Sequence, residues 1–167
     1  DKVDCGNNAS LQITAAITVL LWVKFSGDST TEIPIAKFDS FAEATYGWRL
    51  YRLNTNNFIY WNAYNTVPVA GETISTTAFT KDTWRLLGGT FDSTLASNEL
   101  KVFVNGVQEH QASLAGTLQN PAVVVTVGCQ LNNGAINVSF SGQIALPRIF
   151  NVALGVDQIA NIYNRER

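Results

Sequence analysis

The sequence predicts an all-β fold, a two-sheet antiparallel sandwich with one short C-terminal helix or helical turn. Three observations carry that prediction. Strand-length apolar segments recur along the chain, separated by short clusters of Gly, Asn, Asp and Ser. Apolar residues make up 46% of the 167, enough to fill a packed interior in one domain covering 1–167. The period of a helix appears once, near the end of the chain.

Taken in order, Asp1–Cys5 reads as the first strand and stops at Gly6-Asn7-Asn8. Ile17–Phe25 follows and gives way to Ser26-Gly27-Asp28-Ser29. It shares the longest apolar run, Ala15 to Val23, which falls well short of the ~20 residues a membrane-crossing helix needs. Ile33–Phe38 precedes an irregular loop, and Gly47–Leu53 ends at Asn54-Thr55-Asn56-Asn57. Phe58–Ala63 leads into a loop around Pro68 and Gly71. Thr83–Phe91, Leu100–Val104, Val107–Gln111, Val123–Gly128, Ile136–Phe140 and Gln143–Phe150 complete the strands. Between Leu100–Val104 and Val107–Gln111 stands Asn105-Gly106, a pair that tolerates the two positive φ angles of a type I′ hairpin turn. Asp157–Arg165 places Ile159, Ile162 and Tyr163 on one helical face, with Asp157 as cap or first-turn acid.

Charge narrows the function classes. Charged residues are only 14% of the chain, and no run of Lys or Arg offers a phosphate footprint, so nucleic acid is not an expected partner. Membrane insertion is not expected either. Asn, Thr and Ser take the place of charge, as on many extracellular and virion surfaces, and that is the expected location. The lack of Met and the strand-like opening at Asp1 are read as an excised or mature segment of a longer polypeptide. Cys5 and Cys129 stand far apart. Two readings remain open for them, two thiols or a disulfide tying the first strand to a late one. With one His and no CxxC, a zinc site is excluded on ligand count.

The second half of the chain carries a resemblance. Trp84-Arg85-Leu86-Leu87-Gly88-Gly89-Thr90-Phe91-Asp92, then Glu99 to Asn105-Gly106, resembles the central strands and hairpin of concanavalin A-like, laminin G-like domains. Val127-Gly128, Phe140-Ser141-Gly142-Gln143-Ile144, Arg148 to Leu154, and Gln158-Ile159 with Ile162-Tyr163 resemble that family's closing strand and terminal helical turn. Ser10-Leu11, Ile17 to Lys24, Ile35-Ala36-Lys37 and Gly47 to Leu50 resemble its opening strands. The resemblance implies a jelly-roll of two face-to-face sheets, one of them concave. Many relatives carry Asp-Asp after the Gly-x-Ile of the closing strand, where such acids help hold calcium. Here Ala145-Leu146-Pro147 follows Gly142-Gln143-Ile144, which weakens the case for calcium. No cofactor is therefore expected.

For catalysis, the glycanases of this fold place carboxylates at alternate positions of one strand. No Glu-x-Asp run exists here. Asp39 and Glu43 lie in a loop-like stretch, and His110 has no acid at catalytic spacing, so no enzyme is expected. Sugar recognition uses aromatic faces flanked by placed polar groups. Tyr46 to Arg52 and Phe58 to Tyr64 are dense in both. If Trp48, Leu50, Trp84 and Leu86 face inward, alternation lines a concave sheet with Arg49, Tyr51, Trp61, Arg85 and Phe103. The two Asn-x-Ser sequons, at Asn8 and Asn137, are expected in any Asn-rich chain. The resulting reading is a non-catalytic recognition module for a glycan or cell-surface polysaccharide. A structural or assembly domain with protein neighbours, as in a phage head or tail, is the alternative, and a glycanase the remote one.

Overall fold

The computed structural model describes residues 2–27, 31–53 and 55–167. Asp1 of the first expected strand, Asp28 and Ser29 of the first turn, and Asn54 of a later one lie outside the described residues. The elements are β1 (Val3–Asp4), β2 (Ala16–Phe25), β3 (Thr31–Lys37), β4 (Trp48–Leu53), β5 (Ile59–Tyr64), β6 (Ala70–Ile74) and β7 (Arg85–Asp92). They continue with β8 (Leu100–Val104), β9 (Val107–Ala112), β10 (Thr126–Val127), β11 (Cys129–Asn132), β12 (Ala135–Ser139), β13 (Gly142–Phe150) and the helix α1 (Val156–Glu166).

Two antiparallel sheets form the expected jelly-roll sandwich. One has six strands in the order β1-β10-β3-β4-β5-β6, the other five in the order β13-β2-β7-β8-β9. A two-stranded ribbon, β11-β12, forms a separate ladder that packs along β3. The core lies between the sheets because alternate positions of facing strands are apolar: Ile17, Val19, Leu21, Val23 and Phe25 from β2 meet Trp48, Leu50, Ile59 and Trp61 from β4 and β5. Asn105 and Gly106 hold φ of 51° and 81°, and they close the β8–β9 hairpin as the sequence predicts.

Two strands differ from expectation. β6 falls in the stretch read as a loop, because its inward positions are Gly71 and Thr73 and carry no apolar signal. Gly71 is required there: a Cβ would stand 2.5 Å from Leu100 Cδ1, so sheet contact depends on a small residue. The expected strand Val123–Gly128 is broken at Gly128, whose φ of 90° ends one ladder and starts another. Before it, β10 pairs with β1 and β3; after it, β11 pairs with β12.

Register keeps the cysteines apart, since Val3 and Asp4 oppose Val127 and Thr126 and the next step places Cys5 at Val125. Cys5 donates its backbone N–H to Val125 and is exposed, whereas Cys129 is buried beyond Gly128 beside Thr126. Both thiols are free, so the disulfide reading is not realised.

Candidate functional site

The outer face of the six-stranded sheet gathers polar and aromatic groups around Arg49 and Tyr51, two of the five residues that the sequence singles out. Cross-strand register sets two rows. Arg49 stands opposite Asn62, which stands opposite Glu72. One step along, Tyr51 stands opposite Tyr60. Alternation puts Tyr64 on the same face as Tyr60 and Asn62.

Arg49 is the centre of this face. Its guanidinium lies 4.4 Å from the Phe38 ring centroid and 4.7 Å from that of Tyr51. Nε donates to Asn62 Oδ1 at 3.3 Å and Nη1 to Gln130 Oε1 at 2.6 Å. Both acceptors are neutral amides, and no carboxylate among the described residues forms an ion pair with Arg49. The residue remains partly exposed. A planar cation is thus fixed between two rings, its orientation set and its charge uncompensated.

Around it, Tyr51 and Tyr60 stack at 4.8 Å, and Phe38, Tyr46 and Tyr64 form a second ring cluster. The Tyr51 hydroxyl donates to Glu72, itself exposed. Burial first, then the hydrogen bond to the Glu72 carboxylate, push the Tyr51 phenol well above its ordinary range, so it stays a donor at any working pH. Burial likewise raises Tyr64.

Gln130 arrives on the β11–β12 ribbon, which Asp39 pins against the end of β3. Asp39 Oδ1 accepts from the backbone N–H groups of Phe41 and Asn133, at 3.0 and 2.8 Å, and Oδ2 from that of Gly134 at 2.8 Å. Asn133 and Gly134 hold positive φ, so this carboxylate clasps the ribbon's own tight turn. Burial alone would raise its pKa, but the three N–H groups outweigh burial and lower it. A group whose folded pKa lies below its unfolded value stabilises fully above that value, and the contribution fades as pH falls through the folded pKa. Asp39→Asn, which turns an NH₂ toward one of these donors, is expected to lose about 1–3 kcal/mol at neutral pH. The deficit should shrink below pH ~4; urea midpoints of both proteins at the two pH values measure it, and an equal deficit at both would refute the assignment.

The structure corrects three of the five residues expected to share a face. Trp61 points inward and is fully buried: Leu50 opposes it, and Ile59 and Ala63 on its own strand share its side. Arg85 lies on the inward parity of Leu87 and Phe91, its guanidinium 5.3 Å from the Phe79 ring centroid, because Leu86 rather than Leu87 faces outward. Phe103 does face outward, but from the five-stranded sheet and under Ile159 of α1. Only Arg49 and Tyr51 come together. Asn62, Glu72, Tyr64 and Gln130 were not singled out. The parity of Ile59, Trp61 and Ala63 was the available signal for Asn62 and Tyr64; none existed for Gln130, which reaches the face by tertiary folding.

The carboxylates also bear on chemistry. Glu32 is paired with Arg52, Glu99 accepts the N–H of Leu114, Glu109 those of Thr76 and Thr77, and Glu166 is held by Arg148. Each supports backbone or an ion pair. No group of three or more His, Cys, Asp or Glu side chains among the described residues could hold a metal ion. No helix among them is long and apolar enough to cross a membrane.

A family model for the concanavalin A-like lectin/glucanases superfamily matches residues 1–160. No curated protein sequence matches the chain. Among solved structures, the chain resembles the CBM40 of the Ruminococcus gnavus IT-sialidase bound to alpha2,3 sialyllactose, with TM-score 0.77 and 14% identity over 93% of this chain and 86% of that one. The ligand-binding domain of botulinum neurotoxin serotype D in complex with N-acetylneuraminic acid gives 0.73 and 17%, over 99% of this chain and 40% of that one. A NanB sialidase variant from Streptococcus pneumoniae gives 0.77 and 13%, over 96% and 26%. At such identities the likeness is one of fold.

Proposed function

This chain belongs to the concanavalin A-like lectin/glucanases superfamily, and from that premise we propose that it is a non-catalytic carbohydrate-recognition module. Its ligand would sit on the outer face of the six-stranded sheet, with Arg49 as the anchor. The observation that carries this reading is the guanidinium held between the Phe38 and Tyr51 rings by two neutral amides. Its orientation costs the ligand nothing, and its remaining donors suit hydroxyl or carboxylate oxygens. Tyr46, Tyr64 and Glu72 stand at its margin with further apolar surface and acceptors.

The comparisons support the ligand class, since two of the similar structures were determined with carbohydrate bound, alpha2,3 sialyllactose in one and N-acetylneuraminic acid in the other. That Glu32, Glu99, Glu109 and Glu166 are committed to structural bonds supports a binding role over glycan hydrolysis. No cofactor enters this reading, and a glycan partner outside the cell or on a virion accompanies it.

The test is a broad glycan array on the purified chain, with and without calcium, followed by titration of the best sugar into wild type, Arg49→Ala and Arg49→Lys. Saturable binding is expected, weakened about tenfold or more in Arg49→Ala. Arg49→Lys should recover little, because an ammonium lacks the planar fork. Unchanged affinity in both variants, or silence across the array, would remove this site and favour the assembly-domain alternative.

A further inference from the structure

On the other side of the sandwich, the outer face of the five-stranded sheet is only partly covered. The helix α1 lays Ile159 over Leu20, Leu86 and Phe103, with Ile162 and Tyr163 packed beside it. At the strand ends beyond this cover a groove of about 490 Å³ stays open, within the usual size range of small-ligand sites.

Register explains its floor. Trp22 opposes Leu86 on β7, so Lys24 and Trp84, one step further, are outward neighbours. Trp84 is 40% exposed, unusual for a large aromatic ring, while Trp48 and Trp61 are at 2% and 0%. Trp22 stacks on Tyr163 at 5.7 Å and donates its indole N–H to Glu166 at 2.8 Å. The helix end, with Tyr163 and Glu166, makes one wall. The opposite wall is Leu146, lifted by the irregularity between Ala145 and Arg148 of β13. Leu146 is 55% exposed with φ of 48°, a left-handed conformation directly before Pro147. Such a conformation is disfavoured twice over, by the Cβ and by the following proline. It keeps an apolar side chain at the rim of the groove.

The charges at the rim are unequal. Glu166 is neutralised by a two-pronged pair with Arg148. Arg167 lines the groove, 5.8 Å from the Tyr163 ring centroid, while Lys24 stands beside the lining, 5.7 Å from that of Trp84. Among the described residues neither pairs with a carboxylate. We propose that this groove is a second ligand site, for an acidic sugar whose C–H face lies on the Trp84 and Trp22 rings while its carboxylate meets Lys24 and Arg167. The flat apolar floor takes the ring face, and the uncompensated cations choose the acidic member of the sugar class. The inference rests on the glycan-recognition reading but on a different sheet, so the two sites are separable by experiment.

The test uses the whole chain labelled with ¹⁵N. D-Glucuronate, N-acetylneuraminate and D-glucose are titrated in while the Trp indole N–H and the Arg49 Nε–H signals are followed. Acrylamide quenching of Trp fluorescence, which reads exposed Trp84, is run alongside. Either acidic sugar should shift the Trp84 and Trp22 signals saturably and shield the fluorescence, with D-glucose at least about tenfold weaker. Trp84→Ala should abolish the Trp22 shift, and Lys24→Gln should erase the preference for the acid. Still indole signals and unshielded fluorescence with both acids would overturn the groove; if Arg49 shifted in that same titration, the first site would stand alone. Equal affinity for D-glucose would overturn the assignment to acidic sugars.

Discussion

Replacing Trp61 with Ala is expected to destabilise the fold by about 3–5 kcal/mol, a large part of the stability of an ordinary domain. The expected fall in Tm is about 6–20 °C. The ring is fully buried between the sheets, 5.9 Å from the Trp48 ring centroid, and its indole N–H donates to Thr90 O at 2.9 Å. Truncation opens a cavity and removes the indole hydrogen bond to Thr90 O, two separate losses. Gly89 shows how tightly the ring is seated: a Cβ there would stand 2.3 Å from Trp61 Cδ2. Gly89→Ala should therefore destabilise from the opposite side, by about 1–3 kcal/mol. Thermal melts of both variants measure these effects. A Trp61→Ala protein that melted with wild type but lost a glycan would restore Trp61 as a ligand contact and contradict the buried placement.

Trp61 also shows where the sequence stopped being informative about the site. The strands, the Asn105-Gly106 turn and the terminal helix are legible because each has a local period or turn chemistry. Side assignment is legible only where one face is clearly apolar. In β5 the parity of Ile59 and Ala63 marks Trp61 as inward, yet Tyr60 on the other face is also an aromatic ring, which blurs the contrast. In β7 the neighbours Leu86 and Leu87 are both apolar because α1 covers the outer face, so alternation cannot place Arg85. Phe103 is outward for the same reason but lies under the helix. The cluster on the outer face was thus partly legible, through Arg49 and Tyr51 on a strand with clean alternation. Glu72 was hidden in a strand whose inward residues are small, and Gln130 in a ribbon brought over by Asp39. The groove around Trp84 was hidden by the expectation that Trp84 faces inward.

The second large effect concerns the buried pair Glu32 and Arg52. They oppose each other across β3 and β4, with side chains 0% and 3% exposed. Arg52 also donates to Asn57 Oδ1 and Gly27 O, both at 3.0 Å, and lies 4.8 Å from the Phe25 ring centroid. Glu32 accepts the backbone N–H of Ser141 at 3.2 Å. The pair therefore joins the six-stranded sheet to the residues that follow β2 and precede β13 in the other one. Removing one partner strands a buried charge and its remaining hydrogen-bonding groups, so Glu32→Ala or Arg52→Met alone should cost about 3–5 kcal/mol. Removing both with apolar residues of similar size should cost less than either single change, because no charge remains to be desolvated. A urea double-mutant cycle with Glu32→Leu, Arg52→Met and the combined variant reads this directly. Strictly additive losses would show that the two side chains act independently. Glycan affinity per folded molecule should be the same in all three variants, because this carboxylate holds the two sheets together and faces neither proposed ligand site.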